Sequence, residues 1–350
     1  MHVCLSSGYR PRYLRDIARA LALPPATWLA FRYERGWIQQ NLLQELTGVD
    51  ARKRLHAAPV LIAYIDQHKD RAEFEIVPCR YATLDNVASV GQTASLQLEV
   101  NDFAYAPDLA AFNEHLRRTV GESLPRRVGD RAEGAYWFTV DNLEAVERSA
   151  SDAVWEQIVA QLAPRPDFTD ERFFYSVRGI NEIGCDNPVN AEKNTFKLRP
   201  GRDYELRLYH YYPSEGNVEA EIRASATGAP LEFTVTPELL LDSRYDLKRL
   251  PFRTGSPIPS ARGVLTLRRR KRGEERWEWD LDLGVRVRAA VVRQLLVGLT
   301  IAAARAATPI VAALSDTNLS HHAKALIVIV AAATSVVAGM AAAFGVPRGT

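Results

Sequence analysis

The chain has 350 residues, 47% of them hydrophobic and 25% charged, with 44 Lys plus Arg against 42 Asp plus Glu. This length and composition exclude wholesale disorder and a single minimal domain, and a formal net charge of +2 gives no support to a strongly basic nucleic-acid binder. The charges are unevenly spread: residues 289–350 hold only Arg293, Arg305, Lys324, Arg348 and Asp316, so a nearly neutral body precedes a nearly uncharged tail.

The first 20 residues, MHVCLSSGYRPRYLRDIARA, carry scattered arginines and no apolar stretch of signal-peptide length. The three cysteines, Cys4, Cys79 and Cys185, form neither a disulfide framework nor a CxxC metal site, and an odd count fits a reducing compartment. Both features point to a cytosolic body.

Residues 1–165 alternate helical and extended patterns, as in an α+β domain that senses or binds an unspecified protein or small molecule. Leu14, Ile17, Ala18 and Leu21 share one face of a helix over Arg12 to Leu23, ended by Pro24-Pro25. Leu29, Phe31 and Tyr33 alternate with polar residues in a strand, and Ile38, Leu42, Leu43 and Leu46 mark a second helix. Val60 to Ile65 reads as a central strand, and Phe74 to Tyr81 and Val87 to Val100 as two more. A helix begins near Pro107, and another is expected from Leu143 to Leu162, with Asp141 and Glu144 as a capping box.

Pro164-Arg165-Pro166 interrupts this pattern, and beyond it the period falls to two. Over 168–288, strand patterns at Phe173 to Val177, Asn194 to Leu198, Tyr204 to Tyr212, Val218 to Ala224, Leu231 to Val235, Gly263 to Arg270 and Trp277 to Val287 predict an antiparallel β-sandwich of immunoglobulin-like size. Such a module is a spacer or docking surface and does not decide function. Arg268, Arg269, Arg270, Lys271 and Arg272 are expected at the tip of its last hairpin, where they would touch lipid headgroups, bind an anion, or form a solvated edge that resists sheet-to-sheet pairing.

Residues 289–350 are expected to form a transmembrane helical hairpin. Ala325 to Val346 is free of charge over 22 residues, about 33 Å of helix against a hydrocarbon core of roughly 30 Å. Residues 294–314 form a comparable segment, interrupted by Arg305 and Pro309. The alternative is a buried hairpin in a soluble domain. Arg286, Arg288, Arg293 and Arg348 flank the two segments, so the positive-inside bias puts both termini in the cytoplasm and the protein in the inner membrane. Small residues recur at four-residue spacing, in Ala331, Ser335, Gly339 and Ala343 and again in Gly298, Ala302 and Ala306, a pattern that lets helices approach closely and fits a homo-oligomer. A charge at mid-bilayer costs roughly 2.5–3.5 kcal/mol, which makes Arg305 a candidate pore-lining residue, unless it snorkels or its segment lies on the surface.

GxSxG, HExxH, GxxxxGK[ST] and GxGxxG are all absent. No catalytic, cofactor or metal site is assigned, and a Cys185/His210 pair has only residue type in its favour. The expected function is that of a non-enzymatic membrane effector, of the bacterial defence or stress type (antiviral defence included), whose cytosolic domains govern an oligomerising hairpin. The alternative is a scaffold tethered to the inner face of the membrane.

Overall fold

The computed structural model describes the chain except for residues 48–52, 54, 68–73, 129–130, 144–145, 169–173, 186–187, 212–219, 242–244, 272, 290–306, 308–309, 312–314, 316–319 and 345–350. In the N-terminal half the strands are β1 His2–Ser7, β2 Trp28–Glu34, β3 Pro59–Asp66, β4 Glu75–Val90, β5 Thr93–Tyr105, β6 Arg126–Val128, β7 Arg131–Glu133, β8 Trp137–Thr139 and β9 Glu147–Ser149. The helices there are α1 Pro11–Ala22, α2 Gln40–Thr47, α3 Leu109–Val120 and α4 Asp152–Leu162.

The main sheet runs β2-β5-β4-β3-β1-β8, antiparallel except where β1 lies parallel to β3. The β1-α1-β2 connection leaves β1 as an inner strand, and alternation along it divides the core in two. Cys4 faces α1 and α4 with Ile62 and Tyr64, whereas Val3 and Leu5 face α3 through Phe112 and Leu116. Pro11 opens α1 because the first helical N–H needs no partner. Asp108 caps α3 by accepting from Ala111 N at 2.9 Å.

Two expectations shift here. β4 continues past Asp85-Asn86, which resemble a turn, by absorbing an irregularity between Leu84 and Asn86, and the hairpin turns at Gly91 instead. The last helix begins at Ser151, whose hydroxyl accepts from Val154 N, and not at Asp141; β9 occupies part of the stretch expected to be helical, and Glu144 lies outside the described residues.

The second half is a two-sheet sandwich. Its strands are β10 Phe174–Glu182, β11 Pro188–Val189, β12 Ala191–Glu192, β13 Thr195–Leu198, β14 Asp203–Tyr211, β15 Ala220–Thr227, β16 Leu231–Phe233, β17 Glu238–Leu241, β18 Tyr245–Thr254, β19 Ala261–Lys271 and β20 Glu278–Val287. One sheet is β11-β10-β14-β18-β16 and the other β12-β13-β20-β19-β15-β17. The chain switches sheets between β10 and β13, and β13 runs parallel to β20. The order β10-β14-β18-β16 facing β20-β19-β15 is the immunoglobulin arrangement, with the first strand divided between the sheets. The central strand β18 was not among those expected. Asp246, Lys248, Arg249 and Arg253 dilute its apolar pattern, although Leu250 and Phe252 are buried.

The sandwich and the N-terminal sheet share one apolar cluster, which joins Leu21, Trp155, Val177, Leu208 and Phe196. The connection at 164–168 is fixed to both. Arg165 pairs with Asp66 at 2.7 Å and Glu75 at 2.8 Å, Tyr64 donates to Asp167 at 2.5 Å, and Phe168 lies against Tyr64 and Phe174.

A fifth helix, α5, spans His321–Phe344. Among the described residues no helix is long and apolar enough to cross a membrane. In α5 the described side chains run unbroken only over Lys324 to Ala333, and most of 294–314 lies outside the described residues. The expected two-helix transmembrane hairpin is therefore unsupported here; the finding does not bear on strand-built membrane proteins.

Candidate functional site

A cleft of about 400 Å³ opens where β1 ends and the chain turns through Gly8 into α1. Ser6 and Ser7 form the floor, Phe31 and Tyr33 of β2 one wall, and Trp37 and Tyr136 the opposite wall. Ser6 Oγ donates to Tyr13 O at 2.7 Å and Tyr33 OH donates to Leu5 O at 2.9 Å, which ties the first turn of α1 and the wall to β1. Trp37 and Tyr136 meet edge to face with centroids 5.0 Å apart, and Gln67 Nε2 donates to the Tyr136 hydroxyl. Gly8 is held to glycine by the neighbouring carboxylate, since a Cβ there would lie 1.9 Å from Asp167 Oδ2.

The rim carries Arg10, Arg32 and Glu34, all exposed, together with Tyr9. Asp16 lies deeper and is buried. Desolvation raises its pKa to about 6, against the opposing pull of Arg19 at 3.8 Å and of Arg12. Aromatic walls, an ionisable acid inside and guanidinium groups at the mouth suit a planar small molecule with an anionic end. Among the described residues lining it, no nucleophile is hydrogen-bonded to a base.

Asp16 gives a pH prediction. The unfolded carboxyl releases its proton near pH 3.8 and the folded one near 6, so stability falls as pH rises through this window, and the penalty is complete above it. Asp16→Asn should raise stability at pH 7 by on the order of 1–3 kcal/mol and give no gain below about pH 4. Thermal melts of both proteins across that range check this; equal pH profiles would refute it.

Among the described residues, none of the site candidates singled out from sequence lines this cleft. Arg268 is exposed on β19, opposite Trp279. Arg269 is buried, 3.7 Å from Asp280, and Arg270 pairs with Glu221 while lying 4.3 Å over the Trp277 ring. Lys271 ends the strand, and Arg272 lies outside the described residues. The run thus belongs mostly to the strand, with alternate members facing inward. Arg305, Pro309 and Gly298 lie outside the described residues; Ser335 and Gly339 fall in α5, with nothing described of their side chains. His210 is fully buried opposite Tyr175, whereas Cys185 follows Glu182 at the other end of β10, on the order of 20 Å away. Among the described residues, no group of His, Cys, Asp or Glu could hold a metal ion.

The cleft escaped sequence analysis because its lining spans Leu5 to Tyr136. The available signal was the density of aromatic residues before position 40, where Tyr9, Tyr13, Phe31, Tyr33 and Trp37 all reach it.

No protein-family model and no curated protein sequence matches the chain. Similar solved structures include the periplasmic chaperone SfaE (8% identity, TM-score 0.22, over 27% of this chain and 55% of that one). The CooA pilin subunit from enterotoxigenic Escherichia coli is similar at 7% identity and TM-score 0.22, over 32% of this chain and 99% of the pilin. A PapD-like domain of human CEP192 is similar at 10% identity and TM-score 0.21, over 28% and 81%. The matched part covers about half of the chaperone chain. Assignment of the sandwich rests on its own strand order.

Proposed function

We propose that this protein is a ligand-responsive membrane effector: the N-terminal cleft takes up a small molecule, and the apolar C-terminal segment is delivered to the lipid bilayer, where copies of the chain assemble. The observation that carries this reading is the exposure of α5. Leu326 and Ile329 are each 64% exposed, Val330 52% and Val336 45%. A helix apolar on all sides needs a membrane or another protein around it. This argues against the buried hairpin, and the 22 uncharged residues from Ala325 supply bilayer length. Placement at the inner membrane with both termini cytoplasmic follows from the flanking arginines.

Dye release from anionic vesicles tests the effector step. The full chain should release dye, a chain stopped at Val287 should not, and Arg305→Leu should lower release several-fold if Arg305 faces a water-filled interior. Equal release by the full and shortened chains would refute the proposal. Binding of the full chain to vesicles without release would favour the tethered scaffold.

A further inference from the structure

A second cavity, of about 230 Å³, lies where the N-terminal sheet meets the sandwich. Arg80 of β4 enters from one side and Arg178 of β10 from the other, and the ring of Phe103 lies near both. The Arg80 guanidinium carbon is 4.1 Å from its centroid and that of Arg178 is 5.6 Å. Arg80 is 1% exposed. Its Nε donates to Asn101 O at 2.6 Å and its Nη1 to Ala20 O at 3.2 Å, both neutral acceptors. Among the described residues no carboxylate forms an ion pair with Arg80, because the neighbouring Asp102 is engaged by Arg148 at 2.6 Å. Arg178 has Asp152 at 2.5 Å on one side, while its buried Nε has no hydrogen-bond partner.

Arg148 and Arg178 have Asp102 and Asp152 as their carboxylate partners, and Glu156 also acts on Arg178, but among the described residues none of these carboxylates forms an ion pair with Arg80. A buried guanidinium without a counter-charge is unfavourable, and two such groups close together also repel. Burial, followed by the nearby Arg178, pushes Arg80 down to about 9 against the opposing pull of Asp102. The rest of the lining is uncharged, with Ser176 and Asn190 beside the apolar Pro24, Val177, Pro188 and Phe196. The cavity therefore offers two guanidinium groups, one carboxylate, Asp102, that is paired with Arg148, a few neutral polar groups and an apolar surround.

We propose that this cavity binds the phosphate group of a small phosphorylated molecule, bridged by Arg80 from the N-terminal sheet and Arg178 from the sandwich. The planar forks of two arginines match the oxygens of a phosphate. Because the two arginines belong to different halves of the molecule, the bound anion fastens the halves together. The site is separate from the aromatic cleft and does not depend on the function proposed for it.

The test is thermal unfolding of the full chain titrated with inorganic phosphate, with sodium chloride at equal ionic strength and sodium acetate as controls. Phosphate should raise Tm saturably, by several degrees more than either control. Arg178→Gln should remove this excess. Ala150→Glu places a carboxylate at the exposed mouth of the same cavity; it keeps both arginines and should abolish the phosphate response in a folded protein. An equal rise with chloride would overturn the proposal, as would an equal rise with acetate or a response that survives in both variants.

Discussion

Replacing Arg165 with Met should lower the stability of the protein by about 3–5 kcal/mol, because it removes a cation that a buried carboxylate holds at hydrogen-bond distance. Asp66 is 1% exposed, and its oxygen lies 2.7 Å from Arg165 Nη1. Glu75, at 29% exposure, can turn towards water, whereas Asp66 cannot. Arg165 Nε also donates to Gln161 O at 3.0 Å, which anchors the end of α4. The double variant Arg165→Met, Asp66→Asn removes both charges and should recover much of the loss, which denaturant titration would show. A loss below about 1 kcal/mol in the single variant, typical of a surface pair, would refute this account. Asp66 ends β3 and is followed by Gln67, which holds Tyr136 in the cleft wall, so the single variant should also weaken ligand uptake.

The same residue illustrates how far the sequence could be read. Two prolines flank Arg165 where the sequence pattern changes from mixed to all-β, but nothing local reveals that the arginine reaches a carboxylate 99 positions earlier. Helices and strands with strong periodicity, such as α1, β2 and β14, were legible because one face of each is buried against a single apolar layer. The central strand β18 was not, because its polar positions carry charges that pair locally, as Lys248 does with Asp246 at 2.9 Å. The run from Arg268 to Lys271 was read by composition as one patch. The period of two sends Arg269 inward to Asp280, beside Tyr175 and Arg19, where it helps join the halves of the molecule. The aromatic cleft and the two-arginine cavity are both built from segments far apart in sequence, and strand pairing alone brings them together.

The second large effect concerns α5. Each apolar side chain that passes from water into lipid contributes roughly 1.5–3 kcal/mol when fully covered. Leu326, Ile329, Val330 and Val336, exposed on the body, would together bind the chain to a bilayer strongly. Leu326→Asp with Ile329→Asp replaces two of these contributions with carboxylates in the first turns of the segment, where a charge costs less than the roughly 2.5–3.5 kcal/mol of mid-bilayer but still opposes insertion. Both positions lie on the described, exposed part of the helix, so the body should keep its fold and melting temperature.

Flotation of the full chain with lipid vesicles in a density gradient separates a chain that enters the bilayer from one that does not. The unaltered chain should rise with the vesicles and resist extraction by high salt, whereas the double aspartate variant should stay at the bottom. An unaltered chain that remains at the bottom as a freely soluble monomer would contradict entry into the bilayer.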